Sequence, residues 1–153
     1  MLRISESQIE AVKRHGEQRY PNECCGLLIG RIDVDGETRE VVEVFPALNA
    51  WEDDREHYHR MLIRPEDYLQ AERQFSGKGL GVIGNYHSHP DYVAIPSDFD
   101  LDFLAPWTTM SYIVISVWNG KATDVRSWEL APDRSQFNEE KILKGNESCQ
   151  LQS

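Results

Sequence analysis

At 153 residues, 40% hydrophobic and 27% charged, the chain is long enough for one domain with a sizeable core and short for two. Twenty-six acidic against 16 basic residues give a formal net charge of −10, which argues against nucleic acid as a partner and favours a neutral or basic surface. No apolar run approaches the ~20 residues that span a bilayer, MLRISESQIE lacks the apolar stretch of a secretory signal, and three cysteines suggest no disulfide framework, so no membrane role and a cytoplasmic location are expected.

Ser5, with Gln8 three residues on, reads as a helix cap. Ile9, Val12 and Tyr20 continue the helical stripe, Gly16 weakens it, and Pro21 ends it. Cys24 to Ile32 reads as a short buried strand with Glu23 at its lip. Taken alone, Glu23 is a solvated turn carboxylate. Asp35-Gly36 is a hairpin turn pair, and Glu40 to Pro46 alternates as the returning strand, with Val42, Val44 and Phe45 as core. Ala47 to Glu56 is a polar loop carrying Trp51. His57 and His59 form an i, i+2 pair beside the acidic run Glu52, Asp53, Asp54 and Glu56, with no supporting motif after them. Pro65 suits the first position of a second helix, with Tyr68, Leu69 and Phe75 facing inward until Gly77 and Gly79 end it.

The most informative stretch follows. Gly79 to Tyr86 is apolar and glycine-marked like a buried strand, and it runs into YHSHPDYVAIPSDFD, Tyr86 to Asp100. On a strand end, His87 and His89 point to one face with Cα atoms roughly 6.5 Å apart, while Ser88 points to the other and is a bystander. Pro90 cannot donate to a ladder and stops the strand. Asp91 to Ile95 is a connector, and Pro96-Ser97 opens a third helix with Phe99, Phe103 and Leu104 as its stripe. Ser97-x-x-Asp100 alone is a helix-capping pair, and His-x-His alone is two strand histidines. Their coincidence within fourteen residues instead offers two imidazoles and a carboxylate, the three N/O ligands of a zinc site that does chemistry.

Pro106 closes the third helix. Ser111 to Trp118 is strongly β-prone and interior to a sheet, Asn119-Gly120 is a two-residue hairpin signal, and Asp124 to Leu130 pairs back. Residues 1–131 form the domain. Residues 132–153 are a polar tail, with a short helix over Gln136 to Leu143 and mobile residues from Gly145 onward. The element order gives an α/β (α+β) domain with a mixed sheet.

His-x-His-Pro followed by Pro-Ser-x-x-Asp, with seven residues between His89 and Ser97, resembles the JAMM (MPN+) metalloproteases. Pro21, Glu23, Cys25 and Gly26 are similar to the upstream glutamate motif of the compact prokaryotic members, and the likeness covers about Met1 to Leu130. The resemblance implies the MPN fold, a curved mixed sheet flanked by helices, related to cytidine deaminases. It implies Zn²⁺ held by His87, His89 and Asp100, Glu23 as general base, and Ser97 as oxyanion donor. At His57 and His59 the family has a strand without ligands. Its loops flank the active groove, so Trp51 either touches substrate or covers the core edge. Such relatives cleave amide or isopeptide bonds after the Gly-Gly tail of ubiquitin-like proteins. Only ten residues separate Asp100 from Ser111, so the long insertion of the large deubiquitinating members is absent. The short form resembles members that process ubiquitin-like sulfur carriers, acting as monomer or homodimer. A small-peptide metallopeptidase, a non-catalytic MPN scaffold and a DNA-associated relative are the alternatives.

Overall fold

The computed structural model describes residues 1–103 and 107–145, in which eight strands form one mixed sheet with three helices around it. A short strand, β1 (Leu2–Ile4), leads into α1 (Glu6–Arg19). Ser5 Oγ accepts the Gln8 N–H while the Gln8 side chain accepts the Ser5 N–H, a reciprocal capping box. Then come β2 (Cys25–Ile32), β3 (Arg39–Ala47), α2 (Pro65–Phe75), β4 (Gly81–Pro90), α3 (Asp98–Phe103), β5 (Ser111–Trp118), β6 (Lys121–Leu130), β7 (Phe137–Glu140) and β8 (Ile142–Lys144).

The sheet order is β7-β6-β5-β4-β2-β3-β1-β8. The pairs β4–β5, β1–β3 and β1–β8 are parallel and the others antiparallel. This is the mixed sheet flanked by helices that the sequence implied. Its two faces follow the alternation of β2. Leu28, preceded by Cys24, packs with Val12, Tyr86, Ile113 and Val117 under α1. Cys25, Leu27 and Ile29 pack with Met61, Ala71 and Phe75 under α2. The Asn119-Gly120 turn has positive φ at both residues, as a type I′ hairpin requires.

Four expectations are corrected. Val41, not Val42, is the buried apolar residue of β3, because the β2–β3 register passes from Ile29↔Glu43 to Gly30↔Val41 and leaves Val42 in a bulge. Leu69 is exposed, since the inward stripe of α2 runs through Ala71 and Phe75, with Tyr68 beside them. Gln136 to Leu143 is not a helix. Most of its residues lie in β7, which pairs with β6, and β8, which pairs with β1. His57 and His59 lie in a turn, not a strand. The expected stop at Pro106, Leu104 in the helical stripe, and the tail from residue 146 lie outside the described residues.

Gly84 lets β4 and β5 approach beside the strand end that carries the histidines. A Cβ there would sit 2.2 Å from the Ser111 carbonyl oxygen, which is backbone and cannot swing aside. Overpacking of this kind costs about 1–3 kcal/mol. Gly84→Ala is therefore expected to lower Tm by roughly 3–10 °C in scanning calorimetry. Gly77→Ala, where nothing lies within 4 Å of the added atom, is expected to leave it nearly unmoved.

Candidate metal centre

β4 ends at Pro90, and on its last turns of the pleat His87 and His89 face the α2 side of the sheet together with Cys25, which pairs with His87. Ser88 takes the opposite face. Its Oγ accepts the Cys24 N–H at 2.8 Å, and the Ser88 N–H donates to the Cys24 carbonyl at 3.2 Å. This double tie fixes the lip of β2 against the end of β4. Glu23, two residues before Cys25, is thereby brought beside the histidine pair.

The connector is irregular but anchored. His89 Nδ1 bonds the Val93 carbonyl at 2.8 Å, Trp128 Nε1 donates to the Ala94 carbonyl at 3.1 Å, and Ser116 Oγ donates to the Tyr92 carbonyl. Asp91, at φ 54°, accepts from Tyr20 Oη at 2.6 Å and the Asn119 N–H at 2.9 Å. The chain then enters α3 through a second reciprocal cap. Ser97 Oγ accepts the Asp100 N–H at 3.1 Å, and Asp100 Oδ2 accepts the Ser97 N–H at 2.8 Å.

That cap aims Asp100 at the histidines. His87 Nε2, His89 Nε2 and Asp100 Oδ2 stand at the corners of a triangle with all three edges 3.1 Å. The residues are 2%, 5% and 3% exposed. A carbonyl only accepts, so His89 Nδ1 carries the proton and Nε2 presents a lone pair. A buried lone pair facing a carboxylate oxygen and a second imidazole nitrogen is unfavourable unless a cation or added protons lie among them. Ligands at ~2.0–2.1 Å from a tetrahedral zinc would be about 3.3–3.4 Å apart, close to the observed edges. The donor set fits: His87, His89 and Asp100 form a group able to hold a metal ion. Burial pushes the Asp100 carboxyl up, but where protons lie among the three groups in place of a metal ion, the charge and hydrogen bonds of His87 and His89 outweigh it and hold the group well below the usual carboxylate range.

Glu23 is 4% exposed, and its Oε1 is buried without a hydrogen-bond partner among the described residues. Burial first, and then the nearby Asp100 charge, push its carboxyl well above the usual range, with Arg60 opposing. Glu23, His89 and Ser97 share one cavity of about 290 Å³ with Tyr58, His59, Arg60, Pro90, Asp91 and Tyr92. Burial pushes the Cys24 thiol up to about 12 and the Cys25 thiol up as well, so neither is a thiolate nucleophile at neutral pH.

Two readings change here. His59 is part of the cavity wall, although nothing in its sequence neighbourhood announced it. Trp51 lies edge-on to Phe99 with ring centroids 5.3 Å apart, and its Nε1 donates to Glu56 at 3.1 Å. It thus braces α3. Asn49 was passed over in the polar loop, yet it organises this region. Its amide donates to the Arg60 carbonyl at 2.8 Å and its oxygen accepts the Trp51 and Leu62 N–H groups. An Asn in a loop of mixed polarity carries no local signal of such a role.

Residues 5–131 match the Prok-JAB family, prokaryotic homologs of the JAB domain. The chain belongs to this family. Among solved structures, this Prok-JAB protein is similar to a Desulfitobacterium hafniense protein (32% identity, 95% of this chain and 94% of that one, TM-score 0.79). It shares its fold with a JAB1/MPN domain protein of Archaeoglobus fulgidus (15% identity, 94% and 99% covered, TM-score 0.57). Among curated relatives, it is 32% identical over 113 residues to the "Tail tip assembly protein K" of Escherichia phage N15, covering 71% of this chain and 40% of that one. It is 30% identical over 96 residues to the "Desampylase" of Haloferax volcanii, covering 63% of each. It is 31% identical over 101 residues to the "Probable TtuB-protein conjugate cleaving protease" of Thermus thermophilus, covering 66% and 62%. The chain thus spans between 40% and 63% of the length of these curated relatives. Among the described residues, no helix is long and apolar enough to cross a membrane.

A metal that binds only the folded protein raises its stability by about 2.7 kcal/mol at a hundredfold excess over Kd. Zinc is expected to raise Tm by roughly 5–10 °C, and chelation to reverse the rise. Asp100→Ala and His87→Ala are expected to abolish the shift and the bound metal measured by elemental analysis.

Proposed function

We propose that the protein is a zinc-dependent metallopeptidase or isopeptidase that hydrolyses an amide bond after the C-terminal Gly-Gly of a ubiquitin-like sulfur carrier. The observation that carries this reading is the 3.1 Å triangle of His87, His89 and Asp100, in a site whose cavity wall also holds a buried, unpartnered carboxylate oxygen of Glu23. Family membership and the conjugate-cleaving name of the Thermus thermophilus relative support it. His87, His89 and Asp100 would hold the ion. When bound, zinc supplies an acidified water at neutral pH and polarises the scissile carbonyl.

The protein's own groups do the rest. Glu23 takes the proton of the attacking water and returns it to the leaving nitrogen. Its desolvated setting raises its basicity over that of a free carboxylate, as general-base work requires. Ser97 Oγ accepts the Asp100 N–H, which leaves its hydroxyl proton to donate to the carbonyl oxygen as that oxygen gains charge. The β2–β4 tie through Ser88 keeps Glu23 in register with His89. A cavity of about 290 Å³ is too small for a folded domain, which favours an extended tail as the segment that enters it.

The test offers metal-loaded protein a sulfur carrier extended beyond Gly-Gly and follows product mass. Cleavage at that bond is expected. Glu23→Gln is expected to lower kcat by roughly 10²–10⁴-fold with the bound metal unchanged. Cleavage that survives both Glu23→Gln and His87→Ala would overturn the mechanism, and cleavage of short free peptides but never of the carrier would replace the substrate.

A further inference from the structure

One cation in the cavity wall has no role in this scheme. Arg60 is the single Lys or Arg among the described residues that line the cavity. Its neighbours Arg55 and Arg64 are paired with Asp53 and Asp67. Arg60 forms no ion pair among the described residues. It is nevertheless held in place. Its guanidinium carbon lies 4.2 Å from the centroid of the Phe99 ring, its Nη1 donates to the His59 carbonyl at 3.0 Å, and its own carbonyl is bound by Asn49. The Phe99 ring and one backbone bond hold the guanidinium in place, so little side-chain entropy remains to be lost when an anion docks.

The anion it would meet follows from the chemistry next door. Arg60 lies close enough to Glu23 for its charge to act on that carboxyl. Glu23 is the group that delivers a proton to the leaving nitrogen, so Arg60 borders the leaving-group side of the cut. When the leaving group is a single C-terminal residue, its α-carboxylate hangs from the same carbon as that nitrogen. Each further residue would carry the carboxylate about 3.3–3.6 Å away along an extended chain. A lysine side-chain amine, as in an isopeptide, brings only methylenes to the same place. A doubly charged phosphate suits the spot poorly, since Glu23 and Asp91 share the wall.

We propose that Arg60 is the specificity residue for the leaving group, binding the free α-carboxylate of a single residue that follows Gly-Gly. The cut is then of carboxypeptidase type and not an isopeptide cleavage. Water's oxygen joins the glycyl carbonyl carbon, the C–N bond breaks, and the proton held by Glu23 goes to the departing amine. The products are a carrier ending in a Gly-Gly carboxylate and one free amino acid. This assignment rests on the hydrolase reading above.

The experiment compares a carrier ending in Gly-Gly-Ala as the free acid, the same carrier as the C-terminal amide, and the carrier joined through Gly-Gly to a lysine side chain. Cleavage is measured as kcat/KM on the metal-loaded protein. Binding of acid and amide is measured separately by calorimetry on metal-loaded Glu23→Gln protein. Wild type is expected to prefer the acid over the amide and the lysine conjugate by about tenfold or more, in cleavage and in binding, as a charge-assisted bidentate contact supplies. Arg60→Gln is expected to bring the acid-to-amide ratio toward one, and Arg60→Lys to keep part of it. Unchanged bound metal in these variants separates this effect from a displaced α3. Equal handling of acid and amide by wild type, or a ratio that persists in Arg60→Gln, overturns the assignment. Cleavage without an acid preference would sink the carboxylate site and leave the hydrolase standing. Arg60-dependent binding of the acid without any cleavage would do the reverse.

Discussion

Two imidazole nitrogens and a carboxylate oxygen buried 3.1 Å apart repel one another until positive charge is shared among them. Much of the local architecture serves to hold them there. The two nitrogens come from one strand end, where the period of two places them on one face. The oxygen comes from the first turn of a six-residue helix that is too short to hold its own shape. That helix is fixed by the Ser97–Asp100 reciprocal cap and by Phe99, which lies against the Trp51 ring on one contact and the Arg60 guanidinium on another. A cation held here would couple binding to folding: it would relieve the repulsion, and whatever loosens α3 would withdraw the Asp100 carboxylate.

The same constraint reaches Glu23 by a different route. Ladder bonds between β2 and β4 set Cys25 opposite His87, and the Ser88–Cys24 tie extends that register past the end of the ladder. Ser88 chemically looks like a spare hydroxyl between two ligands. Its work is to stop the β2 lip from fraying, and Gly16 on α1 packs over the same face, where an added Cβ would crowd Val117 Cγ2 at 3.1 Å. The buried carboxyl needs such support, because an unpartnered carboxylate oxygen out of water favours any movement that rehydrates it.

What could be read from the chain alone followed strong local periods. The capping pair at Ser5, the run Ser111 to Trp118, the turn Asn119-Gly120 and the strand end at Pro90 each depend on residues within a few positions. The ligand triangle was legible for the same reason, because its members lie within fourteen residues. Ser97-x-x-Asp100 does cap the helix, and the same cap turns the Asp100 carboxylate toward His87 and His89. Elements fixed by distant partners were not legible. The β7 and β8 strands are only four and three residues long and partly exposed, and they exist because β6 and β1 offer edges to pair with. Val42 leaves the core because of a bulge, which keeps alternation in the sequence while shifting it in space. Arg60 and His59 lie in a turn without period, placed by Asn49 ten or so residues away.

The connector between the histidines and the helix shows how an irregular segment can still be exact enough for a site. Tyr92, Val93 and Ala94 each give their carbonyl to a fixed donor: a serine of β5, the imidazole of His89 and the indole of Trp128. With its backbone committed inward, the segment has few ways to move, and the His89 ring is locked by the bond that locks the loop. The cost appears outside, where Tyr92, Val93 and Ile95 stay exposed although they are apolar. A helix or strand over the same span would have buried such side chains on one face. Here burial was given up so that the backbone could orient an imidazole, and of the apolar residues it leaves outside, Tyr92 forms part of the cavity wall.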